Sequence, residues 1–324
     1  MAESCLIYGD SGSTKTSQIV FLAKYIYETT GKITRMITAD GGGYKPVEDS
    51  GLIEAGVIEI LDFTDRVRYP YVLATLRRLA RGQWPKIYVD TDGKRKRGLR
   101  EAEPDDWKKV GAYAIDGIAG ICDIVISNVS NRQEKALMEN VRFDDDNETF
   151  GLSNQGHYGF TQKLVNELVL AFKALPVDMV LWTSLVTRGE DKKTKEAIYG
   201  PMIAGSAATV KAPGWFGSCL HLQVLTEEKK EADTGMIMFT PHPVAWFTKH
   251  PDETTGTAYL AKPRTAPAQF PQLMEKFSGG YITLEPESGI EKYFKVLDRL
   301  RIAGKASAEE WKKKVDERRT PKNG

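Results

Sequence analysis

Cysteine is scarce in this chain. Cys5, Cys122 and Cys219 are the only three in 324 residues, far apart and odd in number. They form no C-x-x-C metal pattern and no disulfide framework, and they suit a reducing compartment. A core of this size needs no covalent staples. Long apolar runs are missing too. No stretch reaches the roughly 18 residues that a membrane helix needs, so no membrane partner is expected. The first residues lack the basic n-region and cleavage site of a signal peptide, and a cytoplasmic location is expected. Net charge is nearly absent, with 45 Lys and Arg against 44 Asp and Glu. That excludes a global pull toward nucleic acid or anionic lipid, so any such binding must be local. Histidine is rare. His221, His242 and His250 make no metal spacing, and the last two, set among prolines, are expected at the surface.

What remains is an ordinary globular mixture, 41% hydrophobic and 27% charged, and its patterning is informative. Apolar runs of strand length at 4–8, 34–39, 57–61, 112–115 and 178–182 alternate with helical spacing at 17–29, 71–81, 118–138 and 160–174. That rhythm predicts a largely parallel sheet flanked by helices. After Thr187 the runs shorten. Segments 219–225, 236–239 and 245–248 read as added antiparallel strands. Residues 288–302 read as a helix, and Ser307 and Glu310 read as a capping box opening a short terminal helix. Between 87 and 107 the rhythm breaks. Asp92-Gly93 signals a hairpin, and Lys94–Arg100 carries five basic residues in seven.

The segment Gly9-Asp10-Ser11-Gly12-Ser13-Thr14-Lys15-Thr16 matches the Walker A pattern G-x-x-x-x-G-K-[ST] except that Thr14 replaces the second glycine. Backbone N–H groups of such a loop wrap phosphate oxygens, and the following helix adds its positive end. Lys15 would reach the β and γ phosphates of ATP, and the Thr16 hydroxyl would ligate Mg²⁺. A Gly/Ser-rich turn with a chance Lys-Thr would look alike over eight residues. The strand before and the helix after favour the phosphate reading. Thr14 is the departure, because a β-branched residue resists positive φ.

Ala114-Ile115-Asp116 is an apolar strand ending in a carboxylate that would hold the Mg²⁺ shell. Asp116 would equally cap the helix from Ile118. Asp40 ends another strand and would orient the attacking water, or would serve as a turn residue before three glycines. Thr183 and Ser184 end a further strand. In a parallel sheet these ends share one edge, where ligands bind.

With these residues the chain resembles the RecA-like ATPases, and more closely the phage-encoded nucleotide-binding proteins of the AAA/RecA-like class associated with recombination. The resemblance covers about residues 4–265. It rests on the Gly9–Thr16 loop, Met36–Asp40, Ala114–Gly117, Gly156–Gly159, Val180–Ser184 and Tyr259–Arg264. It implies a RecA-like P-loop fold over 1–285, carrying the basic insertion at about 87–107, with 286–324 as a helical extension. By resemblance, Thr183 or Ser184 is a phosphate sensor, and Lys262 and Arg264 are fingers toward the γ-phosphate, in many members that of a neighbouring subunit. A homo-oligomeric ring or filament, single-stranded DNA as partner, and a host cytoplasmic location are implied with them. The shorter Asp40 stands where the class often carries a catalytic Glu. With Thr14 it motivates a second reading, a nucleotide-binding assembly or regulatory protein with little hydrolysis. A P-loop kinase of a small metabolite is a third, disfavoured by the β-rich second half. The basic 94–100 segment reads either as a grip on phosphate backbone or as a solvated loop balanced by Glu101, Glu103, Asp105 and Asp106.

Overall fold

A computed structural model of the chain describes residues 2–39, 44–63, 72–89, 94–127, 155–190, 195–230, 237–251, 257–263, 270–285, 288–299 and 309. Strand β1 (Glu3–Gly9) lies at the centre. It leads through a short loop into α1 (Lys15–Thr30), which Gly31 closes in the left-handed conformation, and then into β2 (Ile33–Thr38). After α2 (Lys45–Glu48), β3 (Ile58–Asp62) adds an edge strand. Helix α3 (Val72–Leu79), the ribbon β4 (Trp84–Val89) and β5 (Arg95–Arg100), and α4 (Pro104–Lys109) precede β6 (Val110–Asp116). Residues 118–127 form α5, and α6 (Gln155–Lys173) leads to β7 (Met179–Glu190). Strand β8 (Ala197–Pro201), α7 (Ser206–Lys211), β9 (Ser218–Lys230) and β10 (Ile237–Trp246) come next. Then follow β11 (His250–Pro251), β12 (Ala258–Tyr259), α8 (Phe270–Lys276) and β13 (Tyr281–Thr283). Residues 291–299 form α9.

Six strands run parallel in the order β3-β2-β6-β7-β1-β9. Antiparallel β10 and β13 extend the β9 side, and β8, β12 and β11 branch from the far half of β7. The result is a mostly parallel mixed sheet between helical layers. Alternation along β1 builds two cores. Leu6 and Tyr8 face one with α5 and α6, while Cys5 and Ile7 face the other with α1 and α9. Both faces of the central strands are apolar, as a covered parallel sheet requires. The three cysteines are buried and free.

Three expectations change. The runs at 236–239 and 245–248 are one continuous strand, β10, although Pro241 and Pro243 lie inside it. The Pro243 carbonyl accepts from the Leu284 N–H at 2.8 Å, on the side away from β9. In a strand the N position of a residue points the same way as its carbonyl, so neither proline removes a bond to β9. Residues 288–299 are not set apart from the sheet. Ile290, Tyr293, Phe294 and Leu297 are buried in the core beside α1, and Tyr25 donates to Asp298 at 2.8 Å. Glu103, Asp105 and Asp106 of the acidic run after the ribbon are the cap and first turn of α4. Glu103 caps it reciprocally with Asp106, Asp106 pairs with Lys86, and Asp105 pairs with Lys108. Among the described residues no helix is long and apolar enough to cross a membrane.

Candidate functional site

The loop between β1 and α1 is shaped by close approach at Gly9. A Cβ there would lie 2.3 Å from the Leu222 carbonyl oxygen of β9 and 2.6 Å from Ser13 Oγ, so no larger residue fits without a shift. Gly12 follows at φ 79°. Thr14, at φ 66° and ψ 15°, also adopts the left-handed conformation and occupies the N-cap position of α1 without a side-chain cap bond. The loop therefore keeps a glycine-type backbone despite the β-branched residue, at a cost of about 1–2 kcal/mol. Strain of this kind persists where the surroundings over-determine it. Here Gln18 is the clamp. Its N–H reaches the Thr14 carbonyl at 3.1 Å and its amide nitrogen reaches Thr14 Oγ1 at 3.3 Å. The same side chain accepts from the Ile290 N–H at 2.9 Å, so the loop is tied to the segment that opens α9.

Asp10, Ser11 and Gly12 are exposed, and Ser13 is buried beneath them. Lys15 turns back over the loop. Its ammonium donates to the carbonyls of Gly9 at 2.9 Å and Asp10 at 2.5 Å, and to Ser13 Oγ at 3.3 Å. A cation is thereby held within a loop whose walls are backbone, at the N-terminus of a 16-residue helix.

In the first turn of α1, the Thr16 hydroxyl donates to Asp116 Oδ2 at 3.1 Å. Asp116 ends β6 and is only 1% exposed. Its other oxygen accepts from Thr183 Oγ1 at 2.5 Å, and the Thr183 hydroxyl accepts from the Gly117 N–H at 2.8 Å. The sheet explains this meeting. β7 lies between β1 and β6, pairing Ile7 with Thr183 and Ile115 with Trp182. The residue at the end of β6 thus meets Thr183 of β7 and, across it, the start of α1. Thr183 gives its one proton to Asp116, so the geometry makes it a positioning residue for that carboxylate. Ser184 faces elsewhere, donating to the carbonyls of Leu185 and Met202.

The remaining sequence candidates are less gathered. Asp40 and Arg264 lie outside the described residues, and β2 is described as far as Ala39, whose N–H bonds to the Asp116 carbonyl at 3.0 Å. Lys262 is bridged to Cys219 by two backbone bonds of 2.9 Å, beside the β9 position that pairs with Leu6. The Tyr8 hydroxyl, one residue before the loop, donates to the Leu260 carbonyl at 2.6 Å. The 257–263 segment is thereby fastened beside β1.

A cluster that sequence reasoning missed adjoins this point. His250 is not a surface residue. It is 6% exposed, and its Nε2 lies 2.9 Å from Nδ1 of His221, itself 1% exposed. Tyr259 stacks on His221 at 4.0 Å, and Trp246 stacks on His250 at 4.0 Å. Burial, and after it the neighbouring His250, lowers the His221 pKa to about 3. The available signal was position on the strand. His221 lies on the same strand face as Cys219, in the continuous apolar run 219–222, all of which is buried. His242 is the exposed one, paired with Glu227 at 3.0 Å.

The donor set at Thr16 and Asp116 consists of oxygens, which suit a hard cation. Among the described residues no three His, Cys, Asp or Glu side chains converge to hold a metal by themselves. A cation here would complete its shell with phosphate oxygens and water, as Mg²⁺ characteristically does. The residues present therefore fit Mg²⁺ bound together with a nucleotide. No protein-family profile matches this sequence, and no curated protein is similar to it.

Proposed function

We propose that the chain is a Mg²⁺-dependent ATPase with a RecA-like core that assembles as a homo-oligomer and acts on DNA. The observation that carries the reading is the convergence of Lys15, Thr16, Asp116 and Thr183 at one sheet edge. Asp116, buried and bonded to hydroxyls through both oxygens, lies against the first turn of the helix that follows a Walker-A-like loop.

Each residue has a role in this reading. The exposed amides of 10–12 and the start of α1 receive the phosphates. The Lys15 ammonium exchanges its loop carbonyls for β and γ phosphate oxygens, and it stabilises charge as the γ-phosphoryl group leaves. Thr16 would keep donating to Asp116 and offer a lone pair to the cation. Asp116 would hold that shell from the sheet side, positioned by the bond from Thr183. Bound Mg²⁺ would supply charge neutralisation at the β and γ phosphates. By the resemblance, Asp40 would orient the water that attacks phosphorus. Lys262 or Arg264 acts from the same or an adjacent subunit. The oligomeric and DNA parts rest on the resemblance of Tyr259–Arg264 and the other quoted segments.

The test is ATP turnover against protein concentration, with and without single-stranded DNA. A rate per subunit that rises with concentration and with DNA supports the whole reading. Tight ATP binding with negligible turnover under all conditions would leave a nucleotide-binding regulator, which Thr14 and Asp40 already motivate.

A further inference from the structure

The strongest charge asymmetry lies outside the candidate ATP site. Over residues 72–100, nine Lys and Arg side chains stand against two carboxylates, Asp90 and Asp92, in a chain whose total charge is nearly zero. The fold brings two basic elements together. In α3, Arg77, Arg78 and Arg81 are exposed while Val72, Leu76 and Leu79 are buried. The Arg78 guanidinium donates to the Leu99 carbonyl of β5 at 3.1 Å and to Gln83 at 2.6 Å, which fixes the C-terminal turn of α3 to the ribbon. Along β5, Arg95 and Arg97 are exposed on one face of the strand. The next residue on that face, Leu99, packs against the core. The ribbon is anchored at its base by Trp84, which is buried under the Arg35 guanidinium at 4.7 Å. Beyond that anchor its arginines project outward.

Of the four carboxylates that follow the ribbon, Glu101 is exposed and the other three are engaged. Asp106 pairs with Lys86 and Asp105 with Lys108, while Glu103 caps α4. Asp106 is thereby held at Lys86, which pairs with Gly98 on the face opposite Arg95 and Arg97, while Glu103 and Asp105 stay on α4.

We infer that the β4–β5 ribbon and the adjoining arginines of α3 form a double-stranded DNA-binding surface, with the ribbon in the major groove and Arg77 and Arg81 on the flanking phosphates. Dimensions support the groove. Two strands lie about 5 Å apart, and a two-stranded ribbon fits the roughly 12 Å major groove of B-DNA. Arg95 and Arg97 are about 7 Å apart along the strand, similar to the distance between neighbouring phosphates of one DNA strand. Arginine also suits the role, because its planar fork binds phosphate oxygens or a guanine edge in pairs. The inference deepens the DNA half of the proposed function and is independent of its ATP half.

The test is a salt titration of binding by the full chain to a 20-base-pair duplex DNA, to its single strand and to a duplex RNA of the same sequence. Arg95→Ala/Arg97→Ala and Arg77→Ala/Arg81→Ala are compared with the original chain. Duplex DNA should bind most tightly. Duplex RNA should bind weakly, because its major groove is too narrow for side chains to read. Each double variant should lower the salt slope by about 2 and weaken duplex binding on the order of 50-fold at 0.1 M salt. Thermal melting should be unchanged, since the four side chains are exposed. ATP turnover without DNA should also be unchanged, which separates this surface from the nucleotide site. Tighter binding to the single strand, equal binding to duplex RNA, or equal competition by poly-glutamate would each overturn the inference. So would unaltered binding in both variants.

Discussion

Position 14 offers a sharp physical test, because two substitutions there should rank in the reverse of their usual order. Thr14 sits at φ 66° and ψ 15° at the start of α1. Any side chain with a Cβ meets the following carbonyl in that conformation, at about 1–2 kcal/mol. Glycine removes that cost and gives up about 0.5–1 kcal/mol of backbone entropy. Thr14→Gly and Thr14→Ala both lose the Gln18–Thr14 Oγ1 contact at 3.3 Å, so that loss cancels between them. The glycine variant should be more stable than the alanine variant by about 0.5–1 kcal/mol. In a helix interior the order is the opposite, by about 1 kcal/mol. Urea unfolding of the two proteins, followed by tryptophan fluorescence, reads the difference as a shift in midpoint at constant m. An alanine variant equal to or more stable than the glycine one would refute a left-handed residue 14, and with it the glycine-type loop that the phosphate reading needs.

Other predictions follow from the same contacts. Gly9→Ala must push apart β1 and the Leu222 carbonyl, or displace Ser13. It should cost about 1–3 kcal/mol in urea unfolding, and a neutral effect would contradict the close approach at 2.3 Å. Thr183→Val leaves one oxygen of buried Asp116 short of a hydrogen bond and should cost about 1–3 kcal/mol, while Thr183→Ser should recover most of it. Equal losses in the two variants would mean that the methyl group matters more than the hydroxyl. His221 gives a pH signature. Its folded pKa of about 3 lies below the ordinary 6.5, so the unfolded chain takes up a proton that the folded chain refuses. Stability is then complete above about pH 6.5 and falls as pH falls, by about 2 kcal/mol between pH 8 and pH 5. His221→Phe should flatten that slope, and an unchanged slope would contradict the assignment.

Much of the candidate site was legible because its parts are local. An apolar run followed by Gly9–Thr16 and a helical spacing reads as strand, loop and helix without tertiary information. Asp116 and Thr183 were legible because each ends an apolar run, and strand ends of a parallel sheet share an edge. Their roles were not legible. That Thr183 spends its proton on Asp116 depends on β7 lying between β1 and β6, a register no linear pattern encodes. The His221–His250 pair was missed for a similar reason. The two lie 29 residues apart on different strands, and prolines near His250 suggested an exposed turn. The split assigned to β10 fell at the polar, proline-containing stretch 240–244, yet Pro241 and Pro243 lie inside the strand. Their effect depends on which edge their missing N–H groups face. Glu103, Asp105 and Asp106 were counted with Glu101 as a balance for the ribbon's arginines, whereas the fold assigns those three to α4 and Lys86. Gln18 carried no signal at all, yet it links Thr14 to Ile290 across most of the chain.

The proposed ATP site consists of the Lys15 loop and Asp116. Its most direct test is Mg²⁺-dependent ATP turnover by the original chain and by Lys15→Ala, with circular dichroism and urea unfolding on both. Lys15 is partly exposed and its partners are loop carbonyls, so the variant should fold with nearly unchanged stability. Turnover in the original chain that disappears in Lys15→Ala is the predicted result. Turnover that persists undiminished in the folded variant would contradict an ATP site there.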